Sequence, residues 1–347
     1  MINVRLFLSL LVTLPAVLLT TSAVASDSVV VLMYHRFGED KFPSTSIRIE
    51  QFQAQLQHLK ESGYVVVPLA AVHAAINDGV SLPERAVSIT IDDAYRSVYD
   101  VAFPLFKEYE MPFTVFVATD AVDEGLPAYM TWEQMREMAA GGATFANHGA
   151  AHRSTIERKD GATDEEWLAD VRSDIEKGAM RLAEELEPLR GSFAYPYGEY
   201  TTDVGNMLRD MGYDSFGQHS GAVGPYSDDR ALPRYPMAEA FADLGQFRTK
   251  VASVPMPVKS VDPWEPVTAE TQPAITITLG ETNARLGELA CYVSGQGKVE
   301  VDWQDTDNQF FVRPEKPFRN GRQRINCTAP GNDGRYLWFS HQWVVQQ

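Results

Sequence analysis

The sequence predicts an α/β barrel followed by a small all-β domain. Short apolar runs alternate with amphipathic helical patterns as far as residue 253, which argues for parallel strands with helical crossovers. A proline-rich stretch follows, and beyond it come short alternating segments broken by Gly, Asn and Asp. The 347 residues are 44% hydrophobic, enough for one large domain, or a large and a small one, each with its own core.

In chain order, residues 1–25 carry one basic residue, Arg5, a long apolar run broken by Pro15, and a small-x-small ending at Ala23 and Ala25. This pattern predicts a cleaved export signal and a periplasmic or secreted protein, with no stable membrane insertion. An uncleaved anchor is the competing reading, since a membrane span needs ~20 apolar residues. Strands are expected at 29–34, 64–67, 86–91, 113–117, 143–147, 192–195, 214–216 and 232–235, with helices between them. Val98, Ala102, Leu105 and Tyr109 recur at helical spacing, and Thr131 with Gln134, like Thr163 with Glu166, opens a helix as a capping box. About seven or eight such units close into a barrel, with an open doubly wound sheet as the alternative. The domain therefore runs over 26–253. Residues 254–273, with five prolines and no apolar periodicity, read as a linker.

Residues 274–347 read as a β-sandwich-like module. Trp303, Trp338 and Trp343 are candidates for a sugar-stacking face or for its core. The module offers a place for glycan or protein contact. Both cysteines, Cys291 and Cys327, lie here, and an exported chain would meet conditions in which they can bond.

With 47 acidic against 30 basic residues the net charge is -17, which repels phosphate backbones and anionic membrane surfaces. Nucleic acid is thus excluded as a partner. A neutral or cationic substrate is compatible with this charge, and solubility explains it equally well.

In a parallel barrel or sheet the loops after the carboxyl ends of strands meet on one face, where ligands bind. His35 follows the first strand, Asp92 and Asp93 the third, His148 and His152 the fifth. Pro196, Tyr197 and Gly198 come after 192–195, His219 shortly after 214–216, and Arg234 lies inside 232–235. His58 and His73 fall on expected helices and His341 in the β module. One aspartate can cap the following helix, but capping leaves the second carboxylate unexplained. Adjacent like charges at a partly buried strand end call for a cation or an arginine. His148 and His152, read as an i, i+4 pair on a helical turn, together with one carboxylate make a set that grips a divalent ion and leaves positions open for water and substrate. Zinc suits these ligands best, and cobalt, nickel or iron also fit.

These residues resemble the polysaccharide deacetylase family, carbohydrate esterases whose fold is an irregular (β/α) barrel of about seven units. The likeness covers roughly residues 29–240. The family's Thr-Phe-Asp-Asp-Gly is similar to Thr90-Ile91-Asp92-Asp93-Ala94, its His-(Ser/Thr)-x-x-His to His148-Gly149-Ala150-Ala151-His152, and its aromatic-proline-aromatic turn to Tyr195-Pro196-Tyr197-Gly198. The resemblance implies hydrolysis of N-acetyl groups on N-acetylglucosamine-containing glycans. It also implies Asp92 as base, Asp93, His148 and His152 as metal ligands, the Tyr197 N–H as oxyanion donor, and Arg234 as the arginine that holds the base. Ile91 and Ala94 depart from the usual Phe and Gly. The family's Leu-x-His motif has no clear match, whereas Leu32-Met33-Tyr34-His35 resembles the permuted branch containing the biofilm poly-β-1,6-N-acetylglucosamine deacetylases. There the N-terminal Tyr-His supplies the acid, which implies His35, with His219 in reserve. Two other functions fit the same residues: a non-catalytic glycan-binding protein, and a metal-dependent esterase or amidase acting on another acylated substrate.

Overall fold

The computed structural model describes residues 25–304 and 308–347. Of the expected export signal, all but Ala25 lies outside the described residues. Among these residues no helix is long and apolar enough to cross a membrane.

The N-terminal domain is built on a nine-stranded sheet. Its main strands are β1 Val29–Tyr34, β2 Ala86–Asp92, β3 Thr114–Val117, β4 Thr144–Asn147, β5 Ser192–Ala194 and β6 Asp214–Phe216, each parallel to its neighbour in that order. Every residue of β1 and β2 is buried, as a parallel sheet covered on both faces requires. The period-2 alternation divides them. Val29 and Val31 join Phe116, Ala146, Ala194 and Phe216 in one core, while Val30, Leu32, Ile89, Ile91 and Val115 pack outward with the surrounding helices.

The strand expected at 232–235 is split. Leu232 bridges Phe216 of β6, and β7, Tyr235–Pro236, pairs in parallel with Leu32 and Met33 of β1. Residues 232–236 thus carry the chain from one edge of the sheet to the other and close an irregular barrel. Pro233 has no N–H to continue a ladder, and Arg234 sits at the crossing. Both expected capping boxes are formed, at Thr131 and Thr163.

Helix Leu69–Asp78 is fastened beneath the barrel by His73, whose Nδ1 meets Asp214 and whose Nε2 meets Ser192. That connectivity matches a serine-histidine-aspartate relay, but Ser192 exposes no surface, so no substrate reaches its hydroxyl. Its role is to tie a helix to the amino ends of β5 and β6.

The stretch read as a linker holds three short strands. Val254–Pro255 and Val267–Thr268 pair with β13, Tyr336–Val345, and β8, Val258–Asp262, pairs with β9, Ile275–Leu279. Its prolines sit at the ends and edges of these short strands, where a missing N–H costs no ladder bond. The C-terminal strands form a six-stranded and a four-stranded sheet around a shared core that includes Ile277, Val293, Phe310, Ile325 and Trp343. Cys291 and Cys327 face each other across β10, Ala290–Val293, and β12, Gly321–Pro330, and are disulfide-bonded. The three tryptophans do not share a face. Trp343 is in the core, Trp338 meets Tyr235 of the barrel edge-on at 5.2 Å, and Trp303 is partly exposed against Phe310.

Candidate active site

The two aspartates part company at the end of β2. Asp92 ends the strand, and Asp93 and Ala94 then take left-handed backbone angles, φ +76° and +60°, so that the neighbouring carboxylates serve different partners. Ala94 occupies a position for which a Cβ is unfavourable, which gives the glycine of the related motif its physical reason.

Asp92 exposes no surface. Arg234 donates to both its oxygens, Nη1 to Oδ1 at 2.7 Å and Nη2 to Oδ2 at 2.8 Å. Two further guanidinium N–H groups reach the Gly217 carbonyl through Nε at 3.0 Å and Thr90 Oγ1 through Nη1 at 3.1 Å. Burial pushes the Asp92 carboxyl upward, but the Arg234 charge, with help from His148 and His35, holds it below the usual carboxylate range. The result is an ionised, immobile carboxylate. His35 Nε2 lies 3.9 Å from Asp92 Oδ2. Burial keeps the His35 imidazole below its ordinary value, against the pull of Asp93 and Asp92.

Asp93 faces the histidines. Its Oδ1 is 3.2 Å from His148 Nε2 and 3.0 Å from His152 Nε2, and one ligand atom from each of the three lies within 4.8 Å of the others. The His148 Nδ1–H donates to the Ala194 carbonyl at 2.7 Å, which leaves Nε2 as the lone pair aimed at Asp93. Neither Asp93 Oδ1 nor His148 Nε2 has a hydrogen bond of acceptable geometry, although both are buried. Acceptors converging in a dry pocket repel one another unless positive charge lies between them. The site's demand for it is visible in His148: burial pushes its affinity for a proton down, yet Asp93 and Asp92 pull it above the ordinary imidazole value. A divalent cation satisfies the same demand, so the residues fit a two-histidine, one-carboxylate metal centre.

The histidine pair is not on a helical turn. Residues 148–152 form a loop, with Gly149 at φ +79° and His152 at φ +52°. Its shape comes from residues absent from the sequence motifs. Asp174 Oδ2 and Oδ1 accept the N–H groups of Ala150 and Ala151 at 3.1 Å each, and Asn147 Oδ1 accepts that of Gly149 at 2.9 Å. Gly178, in helix Asp164–Glu185, lets the loop pass: a Cβ there would lie 2.7 Å from Asn147 Oδ1 and 2.8 Å from the Gly149 carbonyl carbon. A glycine inside a long helix was the one sequence signal for this contact.

Tyr197 rises beside the histidines. Its backbone is left-handed, φ +60°, and its ring packs at 4.7 Å on that of His152. His219 lies elsewhere. Its carbonyl accepts the Arg234 N–H, its ring is 6.4 Å from Tyr200, and the charges that act on it are those of His341, Arg324 and Arg234, not the two carboxylates. Of the expected site residues, the structure therefore gathers His35, Asp92, Asp93, His148, His152, Tyr197 and Arg234, and leaves His219 out.

Comparison with known proteins bears on the fold and on what the chain is similar to. Residues 79–216 match the polysaccharide deacetylase family model. The chain is similar to poly-beta-1,6-N-acetyl-D-glucosamine N-deacetylases of Escherichia coli K12, 25% identical over 244 residues covering 60% of this chain and 36% of that protein, and of Staphylococcus aureus MRSA252, 25% identical over 239 residues covering 63% and 82%. It thus spans about a third of the length of the Escherichia coli relative. Among solved structures, IcaB from Ammonifex degensii superposes with a TM-score of 0.57 at 27% identity over 65% of this chain and 97% of that one. The fold is also that of the Streptococcus pyogenes deacetylase PplD, TM-score 0.58 at 21% identity, over 65% and 98% of the two chains. The aspartate pair, histidine loop and aromatic turn stand together at one rim of an irregular barrel, and the stretch that carries all three, residues 79–216, is similar to the polysaccharide deacetylase family.

Proposed function

We propose that the protein is a metal-dependent hydrolase that removes N-acetyl groups from an N-acetylglucosamine polymer or oligomer, with the β-1,6-linked polymer named for its relatives as first candidate. One observation carries this reading: the lone pairs of Asp93 and His148, both buried, and of the half-buried His152 converge beside a second carboxylate, Asp92, that Arg234 keeps ionised. A divalent ion held by those three residues, zinc before cobalt, nickel or iron, supplies carbonyl polarisation and a water of lowered pKa.

The chain's own residues do the rest. Asp92 takes a proton from the attacking water as its oxygen adds to the acetyl carbon. The Tyr197 N–H faces the oxygen that gathers negative charge, a donor typically worth ~3 kcal/mol. His35 gives a proton to the departing nitrogen as the carbon–nitrogen bond breaks, because an amine leaves poorly as an anion. Its depressed proton affinity makes it a strong acid once protonated, and the nearest source is Asp92, 3.9 Å away. Acetate and a free amino sugar result. The expected export signal would bring the enzyme to such glycans outside the cytoplasm.

Acetate release from β-1,6-linked N-acetylglucosamine oligomers, with chelator, without it, and after metal is restored, tests this reading. Metal-dependent release supports it. Binding of the oligomers without release would favour a non-catalytic glycan-binding protein, and release only from acetyl esters would move the substrate class to the esterase alternative.

A further inference from the structure

We propose that the C-terminal β module is part of the catalytic apparatus: Arg322 and Gln342 are positioning residues that hold the Tyr197–Gly198 turn in the geometry the reaction needs. The catalytic half of this inference rests on the deacetylase reading above; the mechanical half does not.

The turn is costly to hold. Tyr197 and Gly198 are both left-handed, φ +60° and +69°, and the former is a bulky residue in a region that side chains disfavour. Its two consecutive carbonyls point at the module. Arg322 of β12 donates through Nη1 to Tyr197 O, and Gln342 of β13 donates through Nε2 to Gly198 O. The two donors stand on one face of the same ladder, in which Arg322 opposes Val344 and Arg324 opposes Gln342. Gln342 exposes no surface and its Oε1 has no partner, so the amide is there for what its N–H does. Arg322 also reaches Glu199, 3.6 Å away, and Glu199 in turn accepts from Ser154, two residues past His152.

The barrel holds the turn from the other side. A Cβ on Gly198 would lie 2.6 Å from the Gln218 Cβ and 2.9 Å from its backbone nitrogen, so the turn cannot retreat. Pressed between Gln218 and the module, it carries the Tyr197 N–H that the reading above assigns to the oxyanion and rests the Tyr197 ring on His152. Without Gln342 the buried Gly198 carbonyl stays under the module unsatisfied, and without Arg322 the Tyr197 carbonyl loses its tether to the module, so the turn is free to rotate away. Small displacements of such groups are expensive, since a misplacement of about 1 Å can cost ~10²-fold in rate.

The test compares Arg322→Met, Arg322→Lys and Gln342→Glu with the parent as full-length, zinc-loaded proteins. Gln342→Glu keeps shape but turns an oxygen toward Gly198 O. Amide exchange of the peptide covering residues 195–199 is measured together with kcat and KM for acetate release. We expect Arg322→Met and Gln342→Glu to speed exchange at the turn by about tenfold, with exchange elsewhere unchanged, and to lower kcat by about tenfold with KM within about twofold. Arg322→Lys, which still donates, recovers most of both. Unchanged exchange at the turn in both disruptive variants overturns the proposal, as does faster exchange with parent kcat, or a loss spread evenly over the whole chain. Should Gln342→Glu fail to fold, the Arg322 pair decides alone, because the Arg322 side chain is 39% exposed and its replacement leaves the core intact. Local loosening in a chain whose parent releases no acetate from any acetylated glycan would overturn the deacetylase reading and the catalytic half, and leave only the mechanical clamp.

Discussion

Arg234 grips Asp92 at both carboxylate oxygens, and neither residue exposes any side-chain surface. Breaking such a pair leaves an uncompensated charge in the barrel. Arg234→Met is expected to cost about 3–5 kcal/mol of stability. It also removes the charge that holds the Asp92 carboxyl low, so the base protonates sooner on acidification. The acid limb of the kcat/KM profile therefore moves to higher pH. Arg234→Lys keeps the charge but loses the fork, and its shift should be smaller. An acid limb unmoved in Arg234→Met would mean that the arginine does not tune the base.

Mutation should separate the proposed metal ligands from the proposed base. Asp93→Ala, His148→Ala and His152→Ala should lose bound metal and acetate release together. Asp92→Asn should keep about one metal per chain and lose roughly 10²–10⁴ in turnover. Elemental analysis beside the activity assay reads both. Parent-like turnover in Asp92→Asn would remove it from the role of base.

His35 and His219 answer differently. His35→Ala should lower kcat by about 10²-fold or more, with metal retained. His219→Gln should leave the chemical step near the parent rate, because that ring lies beside Tyr200 and has no ion pair with either carboxylate, whereas His35 has one with Asp92. The reverse ranking would return the acid to His219.

Gly178→Ala tests the packing behind the histidine loop. Its methyl group would meet Asn147 and the Gly149 backbone at under 3 Å, and backbone cannot yield as a flexible side chain does. The expected cost is about 1–3 kcal/mol, as for overpacking in a core. Metal affinity should fall with it, since the displaced loop carries two of the proposed ligands, His148 and His152. Competition with a fluorescent zinc chelator reads the change; parent affinity would show that the loop yields freely.

Acid should weaken the β module through His341. This residue of β13 is 5% exposed, and burial pushes its imidazole down to about 4 from an ordinary 6.5. Above about pH 6.5 the ring is neutral in folded and unfolded chains, and the full stability is present. As pH falls from there toward 4 the unfolded chain binds a proton that the folded one refuses, and stability is lost. His219, pushed down to about 3, adds a loss of the same sign. Between pH 7 and about pH 4.5, His341→Gln should lose about 2–3 kcal/mol less than the parent in urea unfolding. Equal losses would contradict a buried neutral ring.

Much of this was legible in the residues because it is local. The apolar runs of β1 and β2, the capping boxes at Thr131 and Thr163, and the chemistry at the strand ends follow from short-range pattern. Reading failed where one pattern has two physical meanings. Five prolines between 254 and 273 suit a linker, and equally suit short edge strands whose N–H groups face away from the ladder. The spacing of His148 and His152 suits a helical turn, but Gly149 and the acceptors on Asp174 bend it into a loop that converges just as well.

The sequence by itself determined which titratable side chains stand at the strand ends, because residue type and strand-end position are properties of a short stretch of chain. Only the tertiary structure decided that Arg234 meets Asp92, that His35 and not His219 stands beside it, and that Arg322 and Gln342 of the β module reach the Tyr197–Gly198 turn. Apart from His35 with Asp92, these contacts join residues more than a hundred positions apart, Arg234 to Asp92 across 142 and Arg322 to Tyr197 across 125. No periodicity encodes such a pairing, which arises only when the closure of the barrel and the docking of the module have fixed where each strand ends.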